Sequence, residues 1–460
     1  MTALRHYQEK RNTDMTVVII GGDAAGMSAA SRIARKDKNA HVIVFEKTDI
    51  VSYGACGLPY YISGVNDNIE LVKMRSPEQF RAGGVDLRLR HEVTSVDTGR
   101  KTVSVRSLDT GKEFSQNYDK LLIATGSKAI VPPVEGKELK NVFVLKTIPD
   151  AEAIKSVLLT EEVRTVAIIG GGFIGMEVTE AVIKRGKKPL LFEALPHVMN
   201  GFDELFQTSL EKTLSDAGAQ LHLGETVSRI DGKDGRAVGI TTPKGIYDVD
   251  MVIFAIGVRP NTEMFPDSEF KKLRNGAIIV NESMETGVPD VYAAGDCATV
   301  YNAVKGEQDY IALGSNANKQ GRVVGDVIMG KEARFDRAIG SSMLKVLNFE
   351  MGKTGLSERE ANARGLDIGT ATVTSISHSP YYTDPAPYNL TAKIVYDKKT
   401  KVLLGAQIMG EKEAALRINI FACAIDRKMT TEELGLLDIA YSPSLTFVWD
   451  IVHIVANAAK

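Results

Sequence analysis

The sequence predicts an α/β chain with two Rossmann-like dinucleotide-binding domains and a separate C-terminal α+β domain. Three observations carry that expectation. A strand, glycine turn, helix, strand pattern starts at Thr16 and recurs at Thr165; each copy closes on an acid; and past Asp336 the texture changes to alternating strands. The length agrees, because 460 residues exceed one ordinary core and split into two or three domains.

The first copy runs Thr16-Val-Val-Ile-Ile-Gly21-Gly22-Asp-Ala-Ala25-Gly26, then a helix through Arg35, then His41-Val-Ile-Val-Phe-Glu46. The second runs Thr165-Val-Ala-Ile-Ile-Gly170-Gly-Gly172-Phe173-Ile-Gly175, a helix through Lys184, then Pro189-Leu-Leu-Phe-Glu193. In such a unit the glycines let the backbone approach a pyrophosphate, which sits against the amides and positive end of the helix. The acid then accepts hydrogen bonds from ribose hydroxyls, roughly 20 residues past the last glycine. Glu46 stands 20 residues past Gly26, and Glu193 stands 18 past Gly175. One such pattern also fits a plain tight turn; two with matching acids do not. Asp23 takes the place of the usual middle glycine of the first turn. A carboxylate there is unfavourable beside a pyrophosphate unless it points away or bonds to the turn. In the C-terminal part, Ile368–Ile376 and Leu390–Tyr396 read as strands. Helices are expected around Glu411 to Arg427 and Val448 to Ala459.

Composition narrows the function classes. With 44% hydrophobic and 25% charged residues the chain reads as globular. A net charge of -2 lacks the basic surplus of a nucleic-acid binder, although a local basic patch for a phosphorylated ligand stays open. Apolar runs are broken well before the roughly 18 residues of a membrane span. Residues 1–14 are polar, lack the apolar core of a secretory signal, and read as an N-terminal extension. Cys56, Cys297 and Cys423 are too few for a disulfide framework, so the expected setting is the reducing cytoplasm. Cys297 and Cys423 read as buried structural thiols, and His378 and His453 as structural or surface residues. No metal is called for.

Three further segments carry a family resemblance. Leu121-Leu-Ile-Ala-Thr125-Gly126 and Val252-Ile-Phe-Ala-Ile-Gly257 each resemble the strand-plus-glycine joint between the FAD and NAD domains of flavin disulfide reductases. Thr286-Gly-Val-Pro-Asp-Val-Tyr-Ala-Ala-Gly295-Asp296 resembles that family's second flavin motif, whose Asp binds the ribityl chain. On these motifs the chain resembles the FAD-dependent pyridine nucleotide-disulfide oxidoreductases over nearly all of its length after Met15. The resemblance implies an FAD-binding domain in two parts, 15–126 and 257–335, around an NAD(P)-binding domain, 127–256, with a dimerisation domain, 336–460, and a homodimer. It places FAD on Gly21, Gly22, Ala25, Gly26, Glu46 and Lys47, completed by Thr125, Gly126, Gly257, Gly295 and Asp296. It places the nicotinamide nucleotide on Gly170, Gly172, Phe173, Gly175 and Glu193. In the family the ring at Phe173 covers the flavin until nicotinamide displaces it; a core Phe is the plainer reading. Glu193 favours NADH, because its charge repels the extra phosphate of NADPH. His197 and nearby Lys187-Lys188 leave NADPH possible.

The branch is set by Ser52-Tyr-Gly-Ala-Cys56-Gly-Leu-Pro-Tyr60. Members with an internal redox disulfide carry a second cysteine where this chain has Val51. Their C-terminal His-Pro segment is replaced by Ala440-Tyr441-Ser-Pro-Ser-Leu. Peroxidases and oxidases of the single-cysteine branch resemble one another in a His where this chain has Ala24. The Ser52 to Tyr60 segment most resembles the coenzyme A disulfide reductases, and Tyr381, Tyr382 and Tyr441 resemble tyrosines which those enzymes bring to the partner subunit's active site. By the same resemblance Ser28, Arg32, Arg35 and Ser52 line the thiol-substrate pocket. Arg32 and Arg35 share a helix face, which also fits a solvated surface. A cation expected after Pro77-Glu78 is displaced, with Arg81 and Gly84 there. The implied chemistry moves electrons from NAD(P)H through FAD to Cys56 and on to a low-molecular-weight disulfide, persulfide or polysulfide, with coenzyme A as a bound thiol. The alternative is an NADH oxidase or peroxidase using a Cys56 sulfenic acid; a third is a redox sensor. An ordinary thiol has a pKa of about 8.5, so a helix start or polarised donors would have to lower that of Cys56.

Overall fold

The computed structural model describes residues 15–460, so the extension expected at 1–14 lies outside the described residues. Two five-stranded parallel sheets form its centre. In the first the strands lie in the order Val291–Ala293, Lys120–Ile123, Thr16–Ile20, His41–Phe45, Val85–Arg88. In the second the order is Gln220–Leu223, Lys188–Glu193, Thr165–Ile169, Met251–Phe254, Val142–Val144. The central strands are apolar and buried at successive positions, Val17 to Ile20 and Val166 to Ile169, as required of strands covered on both faces. Helix Ala24–Lys36 covers the first sheet and packs on helix Gly314–Ile328. Gly321 permits this approach, since a Cβ there would strike the Ala25 carbonyl. Antiparallel three-stranded sheets, His91–Asp97 to Glu113–Asn117 and Arg229–Lys233 to Gly245–Asp248, are appended to the two units.

The chain crosses between the units twice at one place. Ser127–Ala129 pairs antiparallel with Val258–Pro260, and Thr125 and Asn261 beside that ribbon bond to each other at 2.6 Å and 3.1 Å. The C-terminal part is a five-stranded antiparallel sheet in the order Ser342–Val346, Phe349–Gly355, Leu403–Gly410, Asn389–Asp397, Ile368–Ile376. A buried polar lock ties it to the second parallel unit. The Asp203 carboxylate accepts from Gln407 at 2.6 Å and Lys393 at 2.9 Å, and the Asp203 amide donates back to Gln407 at 2.8 Å.

The C-terminal helices are shorter than expected. They span Ile418–Asp426 and Ile451–Asn457. Asp450 caps the second, accepting the Val452 amide at 3.0 Å, so the helix cannot start at Val448. Cys423 corrects the expectation of a buried thiol: it is exposed, because it falls on the outer side of an amphipathic helix whose inner side is Ile418, Phe421 and Ile425. Cys297 is buried, its Sγ 3.3 Å from the Ala294 carbonyl oxygen. His378 and His453 are buried.

Candidate active site

The two glycine turns have one geometry. Gly21 and Gly170 sit at φ +110° and +114°, a region open to glycine. A Cβ at Gly26 would run into the Gly21 carbonyl, and one at Gly175 into that of Gly170. The acids are anchored alike. Glu46 accepts the Gly22 amide at 2.8 Å and the Thr48 amide at 2.8 Å. Glu193 accepts the Gly171 amide at 2.6 Å and the Leu195 amide at 2.8 Å. Neither Asp23 nor Gly172, which precede the two helices, supplies a side-chain cap, so the first helical amides stay available to an anion. Ala25 is buried in the first turn of its helix, and Lys47 is exposed beside Glu46. Phe173 opens the second helix and is 39% exposed, which sets aside a core role.

Between the units, Asp296 follows Gly295, whose φ is +82°. Its carboxylate accepts from Ser127 Oγ at 2.8 Å and Lys146 Nζ at 3.2 Å, and its carbonyl accepts from the Tyr310 hydroxyl at 3.0 Å. Thr125 and Gly126 lie at the crossing ribbon, where the Asn261 amide donates to Gly126 at 2.9 Å and that of Ile130 to Gly257 at 3.0 Å.

Cys56 lies in the 3₁₀ turn Ala55–Gly57, which runs directly into helix Leu58–Ser63. That helix is wedged against helices Ile148–Leu158 and Phe173–Lys184 of the second unit, with Leu58 and Ile62 in its core. Cys56 therefore stands on a rigid support where the parallel units meet. Cys56 is itself exposed, yet the protein packed around it and then Glu177 push its thiol up, while Lys146 and its own amide pull it down. Glu177 itself is pushed up to about 7 by burial, with Glu180 adding to the shift. The motif-based reading missed Glu177, Lys146 and Ser127. Glu177 and Lys146 come from segments far from Cys56 in sequence and act on it only through the fold, and Ser127 meets Asp296 in the same way.

The residues expected around a thiol substrate divide. Ser28 Oγ donates to Asn318 at 2.8 Å. The Arg32 guanidinium holds Asp326 through bonds of 3.0 Å and 2.8 Å and is thereby occupied. Arg35 is exposed and bonds the Ser31 carbonyl at 2.9 Å. Arg75, missed in the sequence, joins this face: it donates to Ser31 Oγ at 3.1 Å and stacks on the Phe80 ring at 4.0 Å. Its segment pairs with the cysteine loop through a Tyr53–Lys73 bridge. Ser52 has φ +49°, and its amide donates to the Gly22 carbonyl at 3.0 Å. On the C-terminal part, the Tyr381 and Tyr441 hydroxyls are 2.7 Å apart and Tyr382 packs edge-on to His378. All three tyrosines are exposed, Tyr381 at 71%.

The site has a nucleotide cradle on each unit and a thiol at their junction. Residues 15–321 match the family described as pyridine nucleotide-disulphide oxidoreductase, and residues 341–451 match its dimerisation domain. The chain belongs to the pyridine nucleotide-disulphide oxidoreductases. Within this family it is similar to a CoA-dependent NAD(P)H sulfur oxidoreductase of Pyrococcus abyssi, 39% identical over 97% of this chain and 98% of the relative. It is also similar to an NADH oxidase of Enterococcus faecalis, 34% identical over 97% of this chain and 99% of the relative. A solved NAD-dependent persulfide reductase from A. fulgidus superposes with a TM-score of 0.92 at 34% identity, covering 96% of this chain and 82% of that one. Pyridine nucleotide-disulphide oxidoreductases use FAD and a nicotinamide nucleotide, and the paired cradles fit both.

Lys188 begins strand Lys188–Glu193 and Glu193 ends it, and a strand rises about 3.3 Å per residue. Lys187, one residue earlier, donates to the Thr160 and Val163 carbonyls at 2.9 Å and 2.6 Å. Those lysines serve the opposite end of the sheet from the acid. His197 faces Glu211 at 3.2 Å.

Proposed function

We propose that the protein is an NADH-dependent flavoprotein reductase of low-molecular-weight disulfides, persulfides or polysulfides, coenzyme A being the thiol carrier. The observation that carries this is the lone Cys56, with no second cysteine beside it, on a buried helix support between the two nucleotide cradles. FAD, when bound, supplies the two-electron link between nicotinamide and sulfur.

The protein's own part is thiol chemistry and positioning. Cys56 thiolate attacks one sulfur of the acceptor; the new bond joins Cys56 to that sulfur, the old S–S bond breaks, and the leaving thiolate takes a proton. The mixed disulfide accepts two electrons and a proton, which frees the second thiol and restores Cys56. Overall, one disulfide, one NADH and one proton give two thiols and NAD⁺. Lys146 favours the thiolate, and Glu177, titrating near neutrality, raises the thiol pKa only when ionised. Arg35 and Arg75 give the cation pair for a phosphorylated thiol, in place of the cation displaced near Gly84. Glu46 and Glu193 take the ribose hydroxyls, Asp296 the ribityl chain, and Phe173 the gating position. The protein works as a homodimer in the reducing cytoplasm, with the exposed Tyr381, Tyr382 and Tyr441 serving the neighbouring subunit's Cys56.

An oxidase reading is the competitor, and Ala24 in place of a histidine stands against it. Anaerobic NADH consumption separates the two. Coenzyme A disulfide or polysulfide is expected to drive turnover, and Cys56→Ser to lower it more than a hundredfold. Turnover sustained by oxygen alone, with no gain from the disulfide, assigns the protein to the oxidases instead.

A further inference from the structure

Asp23 stands in the first glycine turn with extended backbone, φ -112° and ψ -153°, so nothing in the turn forbids a side chain. It immediately precedes helix Ala24–Lys36, where an aspartate ordinarily accepts an amide of the first helical turn. This one forms no such cap. Its Oδ1 instead accepts the Tyr53 amide at 3.2 Å, next to the Ser52 amide that donates to the Gly22 carbonyl at 3.0 Å. Two successive amides of the cysteine loop are thus tacked to the turn, three residues ahead of Cys56.

We propose that Asp23 is a positioning residue for Cys56: its carboxyl fastens the cysteine loop to the turn that fits the flavin pyrophosphate, so one side chain couples nucleotide occupancy to thiol placement. The inference rests on the reading of FAD and Cys56 above.

Two effects of opposite sign follow. Turning away from the helix leaves the amides to the pyrophosphate, yet an ionised Asp23 repels that anion. Asp23 is pushed up to about 6, chiefly by burial, with Glu46 acting in the same direction and the Tyr53 amide, Lys146 and, more weakly, the Ala24 amide against it. Those groups, with the Tyr53 phenol and Asp150 behind it, are the polar surroundings of the carboxyl. Bound pyrophosphate raises it further, so by linkage FAD binds more tightly as pH falls toward about 6 from above, and the gain levels off below that.

The holoenzyme is compared with Asp23→Asn, Asp23→Ala and Asp23→Gly. The readouts are FAD release by flavin fluorescence, the rate of Cys56 alkylation, and the long-wavelength charge-transfer absorbance of thiolate against flavin. Across roughly pH 5.5 to 8, wild-type FAD affinity is expected to change by up to about tenfold, the effect of one unit of pKa displacement. Asp23→Asn keeps the oxygen acceptor, so it retains wild-type alkylation and absorbance while its FAD affinity no longer varies with pH. Asp23→Ala and Asp23→Gly hold FAD at least as tightly at the alkaline end, yet lose most of the charge-transfer absorbance and alter alkylation severalfold. Asp23→Gly restores the ordinary fingerprint and covers the case of a misfolded Ala variant. Wild-type absorbance and alkylation in a flavin-loaded Gly or Ala variant would overturn the proposal, as would an unchanged pH dependence in Asp23→Asn. A colourless wild type, or full disulfide turnover in Cys56→Ser, refutes the parent reading instead.

Discussion

Replacing Glu193 by alanine is expected to turn nucleotide preference toward NADPH, and the size can be worked from the site. The Glu193 carboxylate is fixed by the Gly171 and Leu195 amides at 2.6 Å and 2.8 Å, so it cannot swing away from an arriving ribose without losing both bonds. A 2′-phosphate carries about 1.5 to 2 negative charges near neutrality. Each pair of unit charges roughly 4 Å apart costs about 1 kcal/mol in water and about 4 kcal/mol in a medium of effective dielectric 20. Glu193 is half-exposed, which favours the lower end, about 1.5 to 3 kcal/mol of discrimination. At about 1.4 kcal/mol per decade, Glu193→Ala should raise the NADPH-to-NADH ratio of kcat/KM by roughly ten- to a hundredfold. Most of the rise comes from NADPH, with NADH weakened by the lost ribose contacts. Initial rates with each nucleotide at saturating acceptor measure it, and added salt should shrink the wild-type preference. A ratio that stays within twofold of wild type would show that the acid does not face the ribose.

Two stability predictions follow from buried charge. Glu177, pushed up to about 7, holds its proton more firmly folded than unfolded. That contribution is intact below the ordinary carboxyl range and is lost as pH rises through about 7. Glu177→Gln should therefore be more stable than wild type at pH 8 by about 1 to 3 kcal/mol, with little difference near pH 5; urea midpoints at the two pH values decide it, and equal gains at both would contradict it. Arg417 is buried against Asp450 at 2.9 Å and also donates to the Leu445 carbonyl at 3.3 Å. Arg417→Met leaves that carboxylate without its cation and should cost about 3 to 5 kcal/mol, read from denaturant unfolding; a midpoint like that of wild type sinks the claim.

What could be read from the chain was whatever repeats locally. The glycine turns, their acids and the buried strands declare themselves because a βαβ unit keeps its spacing within some thirty residues. The lone thiol of the glycine-rich loop stood out by contrast, with Val51 where a partner cysteine would be. The surroundings of Cys56 were not. Glu177 and Lys146 belong to the inserted unit, and their bearing on the thiol depends on how helix Leu58–Ser63 wedges between two others. Arg32 and Arg35 looked alike at three-residue spacing, yet one faces Asp326 on a helix nearly three hundred residues away. Lys187 and Lys188 misled for the opposite reason: closeness along an extended strand becomes distance in space. The position of Cys423 turned on which side of its helix faces the sheet.

The inserted unit is held at both ends, by the crossing ribbon at Ser127–Ala129 and by the Asp203 lock to the C-terminal sheet. A body pinned at two points resists swinging. Admitting a second nucleotide then falls to small parts that can turn in place, and the ring of Phe173, exposed at the start of its helix, is the part proposed above for that role. If Phe173 is that part, the traffic of the second nucleotide depends on the swivel of one aromatic ring while the scaffold on either side stays still.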